Sequence, residues 1–256
     1  MTMIESLISG LVQGLTEFLP ISSSGHLVLV HNFFGITPGT VFFDICLHAA
    51  TMAAVIVYFR KDIARIFREK NIRIISYIVL ATIPAVLAAL FFEEKITSFF
   101  ASPSKVGMML IITSVILFMG QAALKRTAKQ DKMTLRSALY VGVSQALALL
   151  PGISRSGTTI STALVAGVNA EESFRFSFLL SIPVILGAVV YKIYSAVSVT
   201  SGSATVLPEY IPGMIIAFAA GLASLRLLKW VVVSKKLYIF GLYCLVLGCT
   251  VTVLAR

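Results

Sequence analysis

Six stretches of this chain, Phe42–Phe59, Ile74–Phe92, Val106–Leu124, Phe174–Tyr194, Ile211–Leu228 and Leu237–Leu254, are almost uninterrupted apolar sequence. A helix needs about 20 such residues to cross a bilayer. Inside the hydrocarbon every backbone polar group must be satisfied within the protein, which leaves helices as the reading for runs of this kind. The expected fold is an all-α polytopic membrane protein with six transmembrane helices. Composition agrees, because only 12% of the 256 residues are charged and 58% are hydrophobic, whereas a soluble domain carries roughly 25% charged residues. The spans and their short connections use up the chain, so residues 1–256 read as a single membrane domain. The excess of 21 Lys+Arg over 11 Asp+Glu is accounted for by basic cytoplasmic loops and does not imply nucleic acid. Cys46, Cys244 and Cys249 all lie in apolar runs. They read as small buried hydrophobes, neither a disulfide framework nor a zinc site. The start Met1-Thr2-Met3-Ile4-Glu5 lacks a basic n-region and is read as mature sequence.

Two further apolar stretches are broken in the middle. Met3–Val30 is interrupted by Pro20 and Ser22-Ser23-Ser24-Gly25, and Ala138–Val168 by Pro151-Gly152 and Ser154-Arg155-Ser156-Gly157. Neither reads as one continuous helix. Loop charge decides their course. The segments Arg60–Arg73, Lys125–Arg136 and Lys229–Lys236 are rich in Lys and Arg, whereas Glu93–Lys105 has only Lys95 and Lys105, and Ser195–Tyr210 has none. With basic loops in the cytoplasm, Ala138–Val168 must enter from the cytoplasmic side and return, and Met3–Val30 must enter from the outer side and return. Two re-entrant hairpins pushed in from opposite faces would meet near the midplane.

An internal repeat supports that plan. An offset of 132 residues places Gln13-Gly14-Leu15 on Gln145-Ala146-Leu147, and Ile21-Ser22-Ser23-Ser24-Gly25 on Ile153-Ser154-Arg155-Ser156-Gly157, without a gap. Residues 1–130 and 131–256 then each hold one broken hairpin and three spans. An odd number of spans per half forces opposite orientations, an inverted-topology repeat.

Irregular backbone at membrane depth is tolerated inside protein or against a water-filled cavity, so each serine-glycine tip should line a pocket. Ser22, Ser23 and Ser24, and likewise Ser154 and Ser156, precede apolar half-helices as N-cap residues do, and helix N-termini offer free N–H groups to an anion. Arg155 adds a planar donor fork suited to phosphate oxygens, where an unpaired charge would be costly. Glu17 lies one helical turn after Gln13 on the same face, fit to hold a divalent cation or accept a proton. His26, just past Gly25, brings a base or nucleophile close to the hydroxyls. His31, His48 and Asp44 carry less weight. His48 and Asp44 share a helix face, but core polar pairing explains that spacing equally well.

The run from Gln13 through Glu17, Pro20 and Ser22-Ser23-Ser24-Gly25 to His26, together with Leu150-Pro151-Gly152-Ile153-Ser154-Arg155-Ser156-Gly157-Thr158-Thr159, closely resembles the undecaprenyl-diphosphate phosphatases, the bacitracin-resistance family. The likeness extends over essentially the whole chain, including Phe43-Asp44 and Ser177–Pro183. The resemblance implies hydrolysis of the lipid-linked diphosphate to the monophosphate with release of inorganic phosphate. It further implies a divalent cation, Mg2+ or Ca2+, and a site open to the outer face of the bacterial cytoplasmic membrane. It assigns the acidic motif to Gln13 and Glu17, the serine-histidine motif to Ser22, Ser23 and His26, and the arginine motif to Ser154, Arg155, Ser156 and Thr159. Some members carry Glu where this chain has Gln13, so any metal here meets one charge less.

The expected catalytic group is therefore Glu17, Ser23, His26 and Arg155, with Ser23 and His26 both open as nucleophile. Ser22, Ser24, Gly25, Ser154, Ser156, Gly157 and Thr159 would hold phosphate, and Glu17 with Gln13 would hold metal. A polyprenyl-phosphate flippase is the rival reading, since inverted repeats typify transporters. The type-2 phosphatidic-acid phosphatases are a weaker rival, because they need a second histidine after the arginine and none follows His48. The sequence leaves the oligomeric state open, a homodimer included.

Overall fold

The computed structural model describes residues 2–34, 41–100, 102–126, 131–199 and 208–255. Among these it has twelve α-helices and no strand: α1 (Met3–Phe18), α2 (Ser23–Phe34), α3 (Val41–Tyr58), α4 (Arg60–Arg68), α5 (Ile72–Phe91), α6 (Glu93–Phe100), α7 (Pro103–Leu124), α8 (Leu135–Leu147), α9 (Arg155–Val165), α10 (Ala170–Val199), α11 (Tyr210–Val233) and α12 (Tyr238–Leu254). Four of them, α5, α7, α10 and α11, are long and apolar enough to cross a membrane. The pair α3 and α4, bent by 63° at their junction, makes a fifth span if counted together, and α12 is apolar but only 17 residues long. The chain is a multi-pass membrane protein.

Local chemistry sets the helix ends. Thr2 and Glu5 form a capping box at the start of α1, and Thr134 and Ser137 form one at α8. α7 starts on a Ser102 cap with Pro103 in its first turn, where a missing N–H costs nothing. α1 stops at Phe18, two residues before Pro20, as the restricted residue before a proline requires. The connection expected to begin at Ser195 is helical as far as Val199, because α10 runs on from its span.

α5 buries only Ala81 and Ala85. Ile75, Val79, Ile83, Val86, Leu87 and Leu90 stay exposed along it, an apolar face too extensive for water and suited to lipid. Cys46 and Cys244 are buried as expected, but Cys249 is exposed on α12, on a side that lipid would cover; all three are free thiols.

Helix packing relies on small residues. α1 lies against α11 so closely that a Cβ on Gly10 would fall 2.2 Å from the Gly213 carbonyl oxygen. α8 lies against α5 in the same way, and a Cβ on Gly142 would fall 2.6 Å from the Ala81 carbonyl oxygen. The 132-residue offset carries Gly10 to Gly142 and Ala81 to Gly213, so both partners of one contact map onto both partners of the other. α7 packs on α12, where Gly107 faces Gly248 backbone to backbone. Backbone approach over small residues is how helices gain packing energy where lipid removes the hydrophobic difference. Between these pairs sits an aromatic core in which Phe18 meets Phe178 edge-on at 5.6 Å, with Phe59 and Phe174 completing the group.

Candidate active site

Two elbows, α1–α2 and α8–α9, touch at the centre of the protein. In the first, Ser22 takes a left-handed φ of 68°, unusual for serine, and α2 begins at Ser23. The Ser22 hydroxyl accepts from the Gly25 N–H at 3.4 Å and, across the elbows, from the Gly152 N–H at 3.0 Å. In the second elbow Gly152 has φ 96°, and a Cβ there would sit 2.5 Å from the Val106 carbonyl oxygen, so only glycine fits. Thr113 of α7 braces this turn: its hydroxyl donates to the Gly152 carbonyl at 2.8 Å and accepts from the Ser154 N–H at 3.0 Å. Ser154 is an extended N-cap whose hydroxyl accepts from the Gly157 N–H. The two caps expected to be equivalent thus differ in backbone, because the hydrogen bond from Gly152 holds Ser22 in a turn that its sequence neighbours do not demand.

Glu17 is the hub. Its Oε2 accepts from the Ser23 hydroxyl at 2.5 Å and from the Gln13 amide at 3.1 Å, and its Oε1 accepts from Arg155 Nη2 at 3.2 Å. His48 Nε2 lies 3.8 Å from Oε2. The Glu17 and Arg155 side chains are 8% and 14% exposed, so this pair sits where an unmatched charge would be costly. Behind the guanidinium, the Phe178 ring lies 5.7 Å from Arg155 Cζ, a cation–π contact that fixes its plane. Two polar atoms of the group, Arg155 Nη1 and Gln13 Oε1, are buried without a hydrogen-bond partner. A cavity opens over the cluster. Glu17, Ser22, Ser23, Ser24, His48, Ser154 and Arg155 form its polar part, and Ile45, Phe100, Leu149, Val184, Ile185 and Val189 are among its apolar walls.

The sequence profile described as Bacitracin resistance protein BacA matches residues 6–250. The chain belongs to this family. It is 39% identical over 258 residues to the undecaprenyl-diphosphatase of Syntrophotalea carbinolica, covering 97% of each chain. It is 40% identical to that of Carboxydothermus hydrogenoformans, with 99% of this chain and 98% of the relative covered. To that of Methanococcus maripaludis strain C7 it is 41% identical over 246 residues, with 94% and 95% covered.

In this BacA chain the structure brings Gln13, Glu17, Ser23 and Arg155 into direct contact, with Ser22, Ser24 and Ser154 beside them. Ser156 and Thr159 are engaged inside the protein. The Ser156 hydroxyl contacts the Leu19 carbonyl at 3.4 Å, and the Thr159 hydroxyl donates to the Arg155 carbonyl and pairs with Ser177. They shape the elbow that carries Arg155. Gly25 and Gly157 supply N–H groups to the Ser22 and Ser154 hydroxyls. His26 turns away from the cavity: its Nε2 meets the Tyr243 hydroxyl of α12 at 2.7 Å and its Nδ1 donates to the Ser22 carbonyl at 2.8 Å. His48, not singled out above Asp44 from spacing, reaches the cavity instead, held by Nδ1 donating to the Asp44 carbonyl. The side chain of His31 lies outside the described residues. Thr113, Phe178 and Tyr243 were not anticipated. A lone Thr113-Ser114 pair inside an otherwise apolar span was the available signal for the first, since polar groups at membrane depth need a partner.

Proposed function

We propose that this chain hydrolyses undecaprenyl diphosphate to undecaprenyl phosphate and inorganic phosphate, recycling the lipid carrier for cell-wall synthesis. The observation that carries the reading is the Glu17 carboxylate bound to a serine hydroxyl on one oxygen and to a buried arginine on the other, at the base of a cavity with apolar walls. The polar part suits a diphosphate and the walls suit the first units of an isoprenoid tail.

The contacts favour Ser23 as nucleophile. Its Oγ bonds to the terminal phosphorus, its proton passes to Glu17 Oε2, and the bond from that phosphorus to the bridging oxygen breaks, releasing the lipid monophosphate. Glu17 hands that proton to the departing bridging oxygen and is a carboxylate again; a water then gives its proton to Glu17 and bonds to phosphorus, and Ser23 Oγ leaves with a proton returned by Glu17. One water is consumed and one phosphate released. Arg155 stabilises the charge that builds on the phosphoryl oxygens, with the unpartnered Nη1 free to meet one of them.

A divalent cation would be held by the Glu17 carboxylate and the unpartnered Gln13 Oε1. It would neutralise charge on the diphosphate, as Mg2+ does when a few protein oxygens and substrate phosphates share it. Among the described residues no three His, Cys, Asp or Glu side chains gather to hold a metal. Phosphate release from a polyprenyl diphosphate in detergent tests the whole reading, because no transport is possible there. EDTA is expected to lower the rate by about tenfold or more and added Mg2+ to restore it. Unchanged release in EDTA would remove the metal, and no release at all would leave the flippase.

The elbows are proposed as re-entrant hairpins of an inverted repeat of six spans in a bacterial cytoplasmic membrane. The offset-related contacts of Gly10 and Gly142 support this. Phe100, in the connection after α5 that is poor in Lys and Arg, lines the cavity, which supports a site open to the outer face. In a background without Cys46, Cys244 and Cys249, Lys95→Cys is expected to react with an impermeant thiol reagent in intact cells. Reaction only after the membrane is opened would reverse the orientation.

A further inference from the structure

His26 is held at both ring nitrogens. A carbonyl oxygen only accepts, so the Nδ1 contact to Ser22 fixes the proton on Nδ1, and in the neutral ring Nε2 carries a lone pair. The Tyr243 hydroxyl oxygen sits 2.7 Å from Nε2, placed to donate to that lone pair, and the two rings stack at 5.7 Å with 10° between their planes. The Ser22 carbonyl that His26 holds also accepts from the His26 N–H at 3.1 Å, so both of its lone pairs answer to one residue. Ser22 needs such restraint. Its φ of 68° is a conformation that a serine keeps only when its surroundings impose it, and Ser23, the next residue, must place its hydroxyl against Glu17.

Tyr243 belongs to an apolar helix whose neighbouring Leu242 and Val246 are exposed. A phenylalanine would pack there as well, and the hydroxyl's partner is His26. Resting on the phosphatase reading above, we propose that Tyr243 is a positioning residue: by holding His26 in its Nδ1–H form it pins the left-handed turn at Ser22 and so sets Ser23 against Glu17. His26 in this role carries the restraint from α12 to the elbow and does not itself meet phosphate.

The test uses the full-length protein in detergent, with phosphate release and the 15N spectrum of labelled histidine as readouts; the chain has only three histidines. Tyr243→Phe is expected to lower kcat about tenfold with KM within about twofold, the mark of an interaction that matters to the transition state and not to binding. His26→Asn keeps an N–H that reaches the Ser22 carbonyl. It is expected to retain about tenfold more activity than His26→Ala. Tyr243→Phe should also shift the His26 Nε2 resonance, assigned by its loss in His26→Asn, and leave the other two histidines in place. Wild-type kcat in Tyr243→Phe, equal loss in His26→Asn and His26→Ala, or an unmoved His26 resonance each overturns the proposal. If the unaltered protein released no phosphate, the function would fall, and the histidine spectrum would still decide whether Tyr243 holds His26.

Discussion

Replacing Arg155 with alanine is expected to lower kcat/KM for phosphate release by about 10²–10³-fold or more, the range for removing a preorganised donor from a developing oxyanion. Stability should fall as well. The change leaves the Glu17 carboxylate, 8% exposed, without its cation, and breaking a buried pair from one side costs about 3–5 kcal/mol. The two effects separate in the double variant Arg155→Ala with Glu17→Gln, in which no charge is stranded: thermal stability in detergent should recover while activity stays absent. Arg155→Lys sharpens the point. A lysine supplies a charge for Glu17 but no second nitrogen in the position of Nη1 and no plane to lie on Phe178, so it should recover stability ahead of turnover. Phosphate release within a few-fold of wild type from Arg155→Ala would remove Arg155 from the chemistry.

The apolar stretches were legible as helices because lipid imposes a length that few other constraints imitate; helices stand at all six, of which four, or five with the bent α3–α4 pair, are long and apolar enough to cross a membrane. The elbows were legible from Pro20 and Gly152 and from serines ahead of apolar half-helices. The Gln13–Glu17 contact followed from helical periodicity alone. What escaped was set by tertiary contact. Nothing local to Ser22 asks for a left-handed backbone, and the Gly152 N–H that holds it belongs to the other half of the chain. His26 looked like a partner for Ser23 because the two are three residues apart, yet its ring is turned by Tyr243, 217 residues away. His48 had a spacing that a structural pair with Asp44 would also give, and only the approach of α3 to α1 brings it to Glu17. The Glu93–Phe100 segment read as part of a connection with few basic residues. Its folding as a short helix that carries Phe100 to the cavity wall left no mark beyond a few apolar residues among polar ones.

Glu17→Gln is the second change with a large expected effect, and it removes the proposed proton acceptor. The amide has nearly the same shape as the carboxylate, so the cavity and the α1 packing should persist, but the melting temperature should fall, because Arg155, 14% exposed, loses its counter-charge. A neutral amide cannot take the Ser23 proton, and turnover should fall by about 10²–10⁴-fold, the usual contribution of a general base. Ser23→Ala should fall at least as far, and the double variant no further than the worse single one, because residues that act as a unit lose their effect together. A water nucleophile activated by Glu17 would give a different pattern, with Ser23→Ala keeping most of its turnover and only Glu17→Gln losing it. The covalent route also predicts that substrate labelled in its terminal phosphate, quenched in acid during turnover, leaves label on the protein, and that Ser23→Ala leaves none. Turnover lost in Glu17→Gln but retained in Ser23→Ala would therefore transfer the attack from Ser23 to water while keeping Glu17 as the base. Retention in both would leave the 2.5 Å contact between them a structural hydrogen bond and the chemistry elsewhere in the cavity.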